Sequence, residues 1–147
     1  FRLARTRDAL VLLVRAVREG QRVLHRLGCP IVPAQLRLLS WIPEPALVAL
    51  LSKGLATEAA QLMLARHANA ARDEMKMLTD EFVRLAARAG LSTPAMDVLA
   101  AYIDPELPPV EAGRRVLKLR WREVVAAAGA LVSLTVLLAG LLRRRRK

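Results

Sequence analysis

The segment VVAAAGALVSLTVLLAGLL, residues 124–142, is nineteen residues long and contains no charged side chain. At about 1.5 Å per residue, a helix of this length spans nearly the thickness of the hydrocarbon layer of a bilayer. Basic clusters flank it at 114–122 and 143–147, and Trp121 stands where an interfacial anchor would stand. The segment predicts a single transmembrane helix, and the alternative is a helix buried in a soluble core.

The charge distribution supports the membrane interpretation. The chain has a net charge of +11 over 147 residues. Residues 1–110 contribute 14 basic and 11 acidic side chains, a net of +3, whereas residues 111–147 contribute 10 and 2, a net of +8. The excess therefore borders the apolar segment, and aromatic residues that could stack on bases make up only 3% of the chain. We expect no nucleic-acid partner.

The rest of the chain predicts an all-α fold, because Ala, Leu and Arg are abundant and strand-forming residues are scarce. The expected helices cover residues 7–27, 34–39, 46–53, 57–89 and 95–103. Gly28, Gly54 and Gly90 are expected to end three of them, and Thr93-Pro94 to start the last. The predicted domains are a helical domain over 1–103, a Pro-rich linker over 104–113, and the basic-flanked transmembrane region over 114–147.

The helix over 7–27 is amphipathic. We expect the apolar face of this helix to pack into the hydrophobic core. Its polar side chains are Arg15, Arg18, Glu19, Arg22 and Arg26. The single cysteine, Cys29, excludes an internal disulfide and a cysteine cluster for zinc, so no metal site is expected.

Glu74 is the main candidate for a functional side chain, because helical spacing puts it beside the apolar residues Ala70, Ala71 and Leu78. A carboxylate on an apolar helix face either forms an ion pair or is desolvated, which raises its pKa. The alternative is an ion pair with Arg72 or with an arginine of another helix. His67 lies two turns earlier, too far along the axis for a direct hydrogen bond, and is expected to be a packed or surface histidine.

Several segments together resemble the C-terminal helical domain of ketopantoate reductases (2-dehydropantoate 2-reductases). They are RAVREG at 15–20, RDEM at 72–75 and GLSTP at 90–94, with sixteen residues between Glu74 and Gly90. The resemblance covers residues 8–103. It implies a bundle that covers the substrate of an NADPH-dependent reduction in pantothenate biosynthesis, in which Glu74 helps to organise the catalytic site.

The sequence departs from the family pattern in three ways. No G-x-G-x-x-G motif is present, so the chain alone is expected to bind no NADPH and would need a separate nucleotide-binding half. The catalytic lysine of the family has no counterpart, since Lys53 and Lys76 do not match its position. At 62–66 only Met63 matches the family's S-M-x-x-D motif, and Arg66 replaces the aspartate.

Two functions follow from these patterns. The first is the substrate-covering domain of a ketopantoate-reductase-like oxidoreductase; because the chain begins at Phe1 rather than Met, it is then expected to be a fragment or half of a split enzyme. The second is a non-catalytic, membrane-tethered helical interaction module. Family resemblance implies a homodimer through the helical domain. In both cases we expect a single-pass membrane protein. The basic tail and the lack of an export signal give conflicting orientations, and the expected one has the helical domain in the cytoplasm.

Overall fold

The computed structural model describes residues 2–60, 72–103, 111 and 113–145. Their secondary structure is helical, without strands. The helices are α1 (Arg2–Arg5), α2 (Arg7–Arg26), a 3₁₀ helix (Ala34–Ser40), α3 (Glu44–Gly54), α4 (Arg72–Ala89), α5 (Pro94–Ala101) and α6 (Trp121–Arg145). The predicted all-α class is confirmed for this part of the chain.

Helix α2 is the centre of the bundle, because α1, α3, α4, α5 and the 3₁₀ helix all contact it. Its apolar side buries Leu10, Val11 and Val14 against Leu47 and Val48 of α3. Near its end, Val23 packs against Ala86 and Ala89 of α4.

The polar face of α2 differs from the solvated face that amphipathic spacing suggests. Glu19 is only 4% exposed. The side chains of Arg15 and Arg18 are also largely covered. These charges lie inside because other segments of the chain supply their partners, as described below.

The helix ends follow the predicted glycines. Gly28 and Gly90 have positive φ values of 71° and 64°, a conformation that glycine adopts without a Cβ clash. The helix predicted over 57–89 is described as α4 from Arg72 onward, and residues 61–71, which include His67, lie outside the described part. On α4 the exposed ion pairs are Lys76–Asp80 and Glu81–Arg84.

Residues 113–120, here called the strap, precede α6 and lie along α2. Leu117 and Leu119 pack against the core between α2 and α3. The amide of Asp8 donates to the carbonyl of Arg114. The strap therefore joins α6 to the bundle through contacts as well as through the chain.

Helix α6 contains the predicted apolar segment and extends beyond it at both ends. Its stretch Trp121–Ala139 has a mean hydropathy of 1.7 and no buried residue, so it is long and apolar enough to cross a membrane. The described side chains from Val125 to Leu142 are all exposed. The alternative of a buried core helix is therefore wrong for this structure.

Candidate functional site

The strap is attached to α2 by two neighbouring charged residues. The carboxylate of Asp8, which is 4% exposed, accepts hydrogen bonds from the amides of Val116 (2.7 Å) and Leu117 (3.1 Å). The guanidinium of Arg7 donates to the carbonyls of Arg115 and Leu117, each at 2.8 Å. Charge-assisted hydrogen bonds to backbone groups are among the stronger ones in proteins, so this end of the strap is firmly held.

Glu44 begins α3 between Pro43 and Pro45, and it is fully buried. Arg15 of α2 donates to both of its carboxylate oxygens, from Nε at 2.9 Å and from Nη2 at 3.0 Å. The amide of Arg120, at the end of the strap, donates to Oε1 at 3.1 Å. A single carboxylate thus ties together α2, α3 and the strap.

These contacts determine the ionisation of the pair. Burial by itself raises the pKa of Glu44, but the hydrogen bonds and positive charge of Arg15, together with the Arg120 amide, outweigh it and hold the pKa below its ordinary value. The hydrogen bond from its guanidinium to Glu44 raises the pKa of Arg15. Both groups are therefore charged at neutral pH.

Glu123, in the first turn of α6, repeats this arrangement. Nη1 of Arg18 donates to both of its carboxylate oxygens at 3.0 Å. Glu123 also accepts the backbone amide of Glu44 at 2.8 Å. The start of the apolar helix is therefore bound to the bundle by the side chain of Arg18 on α2 and by the backbone of α3.

Glu19 connects α2 to the other end of the bundle. Its two carboxylate oxygens accept the amides of Ala95 (3.0 Å) and Met96 (2.9 Å), which are free donors of the first turn of α5. Thr93 occupies the predicted N-cap position, but its hydroxyl contacts Asp97 instead of these amides. The helix start was predicted correctly. The carboxylate that caps it belongs to Glu19, which lies 76 residues before Ala95 in the chain.

A groove of about 860 Å³ opens between α2, the segment around the 3₁₀ helix, and the first turns of α6. Five arginines and one histidine line it: Arg15, Arg18, Arg22, His25, Arg26 and Arg120. Glu123 is its one acidic lining residue among those described, and Ala126 and Ala127 of α6 form an apolar part of its wall. We call it the basic groove.

The arginines of the basic groove fall into two groups. Arg15 and Arg18 are paired with Glu44 and Glu123, and Arg120 lies within 4 Å of both carboxylates. Arg22 and Arg26 are exposed, and no acidic side chain of the described residues forms an ion pair with either. These two guanidinium groups are available to an external anion.

Glu74, the site residue predicted from the sequence, lies apart from the basic groove on α4. It is exposed, and its neighbours Met75 and Leu78 are 47% and 53% exposed. The desolvation expected from its helical spacing is therefore not seen in the described residues. Ala70 and Ala71, the other expected neighbours of Glu74, and His67 lie outside the described residues.

Among the described residues, no group of three or more His, Cys, Asp or Glu side chains is arranged so that it could hold a metal ion. Cys29 is an exposed free thiol. Comparison with known proteins adds no family, since no family model, curated protein or solved structure matches the chain significantly.

Proposed function

We propose that this chain is a single-pass membrane protein in which α6 crosses the bilayer and holds the helical bundle against the membrane surface. The observation that carries the proposal is the exposure of every described side chain from Val125 to Leu142. An exposed apolar surface of this length is unfavourable in water and favourable in lipid. The test is extraction of membranes with alkaline carbonate: the full chain should stay in the pellet, and its release would contradict the proposal.

The bundle belongs on the cytoplasmic side in this proposal. Both flanks of α6 are basic, but the fold brings Arg22 and Arg26 to the bundle side as well, and cytoplasmic flanks of membrane helices are enriched in such residues. Cys29 is exposed and is the chain's one cysteine, so it reports orientation directly. A membrane-impermeant maleimide should label it in inverted vesicles and not in intact cells. The opposite labelling would place the bundle outside.

For the role of the bundle, the first candidate is a substrate-covering domain of a ketopantoate-reductase-like enzyme. Two of the segments that carry the resemblance, at 15–20 and 90–94, come together in space, which supports it. Glu19 binds the amides that follow Pro94, and Gly20 faces the ring of Phe82. NADPH would be bound by a separate nucleotide-binding half.

That role has a direct test. The DNA upstream of Phe1 should encode a strand followed by G-x-G-x-x-G. Coexpression of that half with the full chain should give NADPH-dependent reduction of ketopantoate, whereas the chain alone should give none. Activity that is the same without this chain would contradict the role.

The second candidate is a tethered interaction module, which could include a homodimer through the bundle. It is favoured by the exposure of Met75 and Leu78, one turn apart on α4, because exposed large apolar side chains in a cluster are typical of contact surfaces. Crosslinking of the wild-type chain in membranes, compared with Met75→Lys/Leu78→Lys, tests it. Loss of the crosslinked product supports the module, and an unchanged product contradicts it.

A further inference from the structure

The basic groove carries more positive charge than the bundle neutralises. Five arginines line it, and three of them pair with Glu123, in its wall, or with the neighbouring Glu44. The sum of five positive and two negative charges is +3. Arg22 and Arg26 supply the part of this charge that has no ion-pair partner among the described residues, and they are one helical turn apart on α2. Two guanidinium groups at this spacing suit the oxygens of a phosphate, which arginine binds with paired hydrogen bonds.

The other wall of the groove is apolar and belongs to the proposed membrane helix. Ala126 and Ala127 lie two to three residues inside the uncharged segment that begins at Val124. At about 1.5 Å per residue, they are some 3–5 Å below the start of that segment. This depth is the boundary between headgroups and acyl chains, so the groove opens where a phospholipid carries its phosphate.

One tryptophan of the chain lines the groove and the other begins α6, three residues before the uncharged segment. Trp41 lines the groove and is 82% exposed, and Trp121 begins α6 and is 62% exposed. Exposed tryptophan is costly in water but is favoured at the headgroup level of a bilayer. The groove therefore combines an apolar wall, the exposed ring of Trp41 and two guanidinium groups that have no ion-pair partner among the described residues.

We infer that the basic groove binds the phosphate-bearing headgroup of an anionic phospholipid from the bilayer that α6 enters, with Arg22 and Arg26 as its phosphate ligands. This inference rests on the proposed membrane anchor. The lipid phosphate lies between these two side chains, and its acyl chains run down α6 past Ala126 and Ala127. A soluble phosphate compound would use the guanidinium groups but not the apolar wall, which is why the lipid is the better fit.

The experiment uses the full chain reconstituted into phosphatidylcholine vesicles with a trace of spin-labelled phosphatidylglycerol or spin-labelled phosphatidylcholine. The motionally restricted fraction of each label gives its relative association constant. We expect phosphatidylglycerol to be preferred by about thirtyfold, which corresponds to about 2 kcal/mol from the two arginines near the anionic lipid. Arg22→Gln/Arg26→Gln should reduce the preference at least about threefold. The matched control, Lys53→Gln/Arg88→Gln, removes two exposed cations that do not line the groove and should leave it unchanged.

Three other results would each contradict one part of the inference: the groove as the site, the lipid as the ligand, or the membrane anchor. An equal preference in the groove variant and in the control variant would overturn the groove as the site. A preference lost when sodium phosphate replaces sodium chloride at equal ionic strength would overturn the lipid in favour of a soluble phosphate. No restricted component for either label would overturn the membrane anchor itself, which separates that failure from a failure of the groove.

Discussion

Arg15 and Glu44 form a bidentate ion pair between α2 and α3, with donor–acceptor distances of 2.9 and 3.0 Å. The carboxylate is inaccessible to solvent, and the arginine side chain is 21% exposed. The same carboxylate accepts the amide of Arg120, so the pair also holds the strap. Several parts of the bundle therefore depend on one buried charge, and this makes it the most informative position to change.

Glu44→Gln should destabilise the bundle strongly. It leaves Arg15 with no charged partner in a largely buried place, and breaking such a pair typically costs about 2–4 kcal/mol. The free energy of unfolding, measured by urea titration in detergent with circular dichroism, reports this loss. Glu81→Gln is the matched control, because its exposed pair with Arg84 should contribute less than about 0.5 kcal/mol. Equal effects of the two changes would contradict the assigned role of Glu44.

The stability of the wild-type chain should also depend on Glu44 in acid. Because its pKa is lower in the folded state than in the unfolded chain, its contribution is fully present above the unfolded value of about 4.3 and is lost as the pH falls through the lower folded value. The difference in stability between wild type and Glu44→Gln should therefore be constant from about pH 5 to pH 7 and shrink below about pH 4. A stability difference that grows on acidification would show that folding raises the pKa of Glu44 instead of lowering it.

Asp8→Ala should release the strap from α2. The change removes both acceptors of the Val116 and Leu117 amides, and losing such buried partners costs about 1–3 kcal/mol. Trypsin should then cleave after Arg114 and Arg115 at least about tenfold faster, because local opening controls access to the protease. Asp80→Ala, at an exposed site on α4, should leave the cleavage rate as it is. A strap equally resistant in both variants would mean that its other contacts, to Arg7 and Glu44 and through the packing of Leu117 and Leu119, are enough to hold it.

Leu131→Arg/Leu134→Arg should move the chain out of the membrane pellet. Both leucines are exposed near the middle of α6, and an arginine at the centre of a membrane helix costs about 2.5–3.5 kcal/mol. Alkaline carbonate extraction followed by immunoblotting measures the change. Met75→Arg/Met77→Arg adds the same charges to the exposed surface of α4 and should leave the chain in the pellet.

Glu74→Gln separates a role in catalysis from one in folding. Because Glu74 is exposed, the change should leave the free energy of unfolding within about 0.5 kcal/mol of the wild-type value. In an active complex with a nucleotide-binding half, it should lower turnover by about 10–100-fold, as expected for a carboxylate that organises the site. Unchanged turnover would remove Glu74 from the site, and a large loss of stability would indicate a structural ion pair.

Local patterns in the sequence predicted the helices well. The helix expected over 7–27 is observed as Arg7–Arg26, because its periodicity and the stop at Gly28 are both local signals. The uncharged segment at 124–142 lies entirely within α6, because its apolar composition is also a local signal. The turn at Gly90 and the helix start at Thr93 also follow from residues that are adjacent in the chain.

The ionic contacts could not be predicted in this way. Periodicity shows that Arg15, Arg18 and Glu19 share a face, but not that the strap, α3 and α5 cover it. The partners of Glu19 lie 76 and 77 residues away, and those of Asp8 lie 108 and 109 residues away. One available signal was missed: Glu44, between two prolines at a helix start, is a carboxylate placed where free amides and a positive helix end favour it.

The strap limits how this protein can be divided for study. A truncated chain that ends at residue 103 would be an obvious soluble form of the bundle, yet it would also lack the amides of Val116, Leu117 and Arg120. Asp8 and Glu44 would then lose backbone donors that the rest of the bundle does not replace, and the core would lose Leu117 and Leu119. A soluble form that keeps the native packing must instead retain the chain through Glu123 and replace the apolar residues that follow.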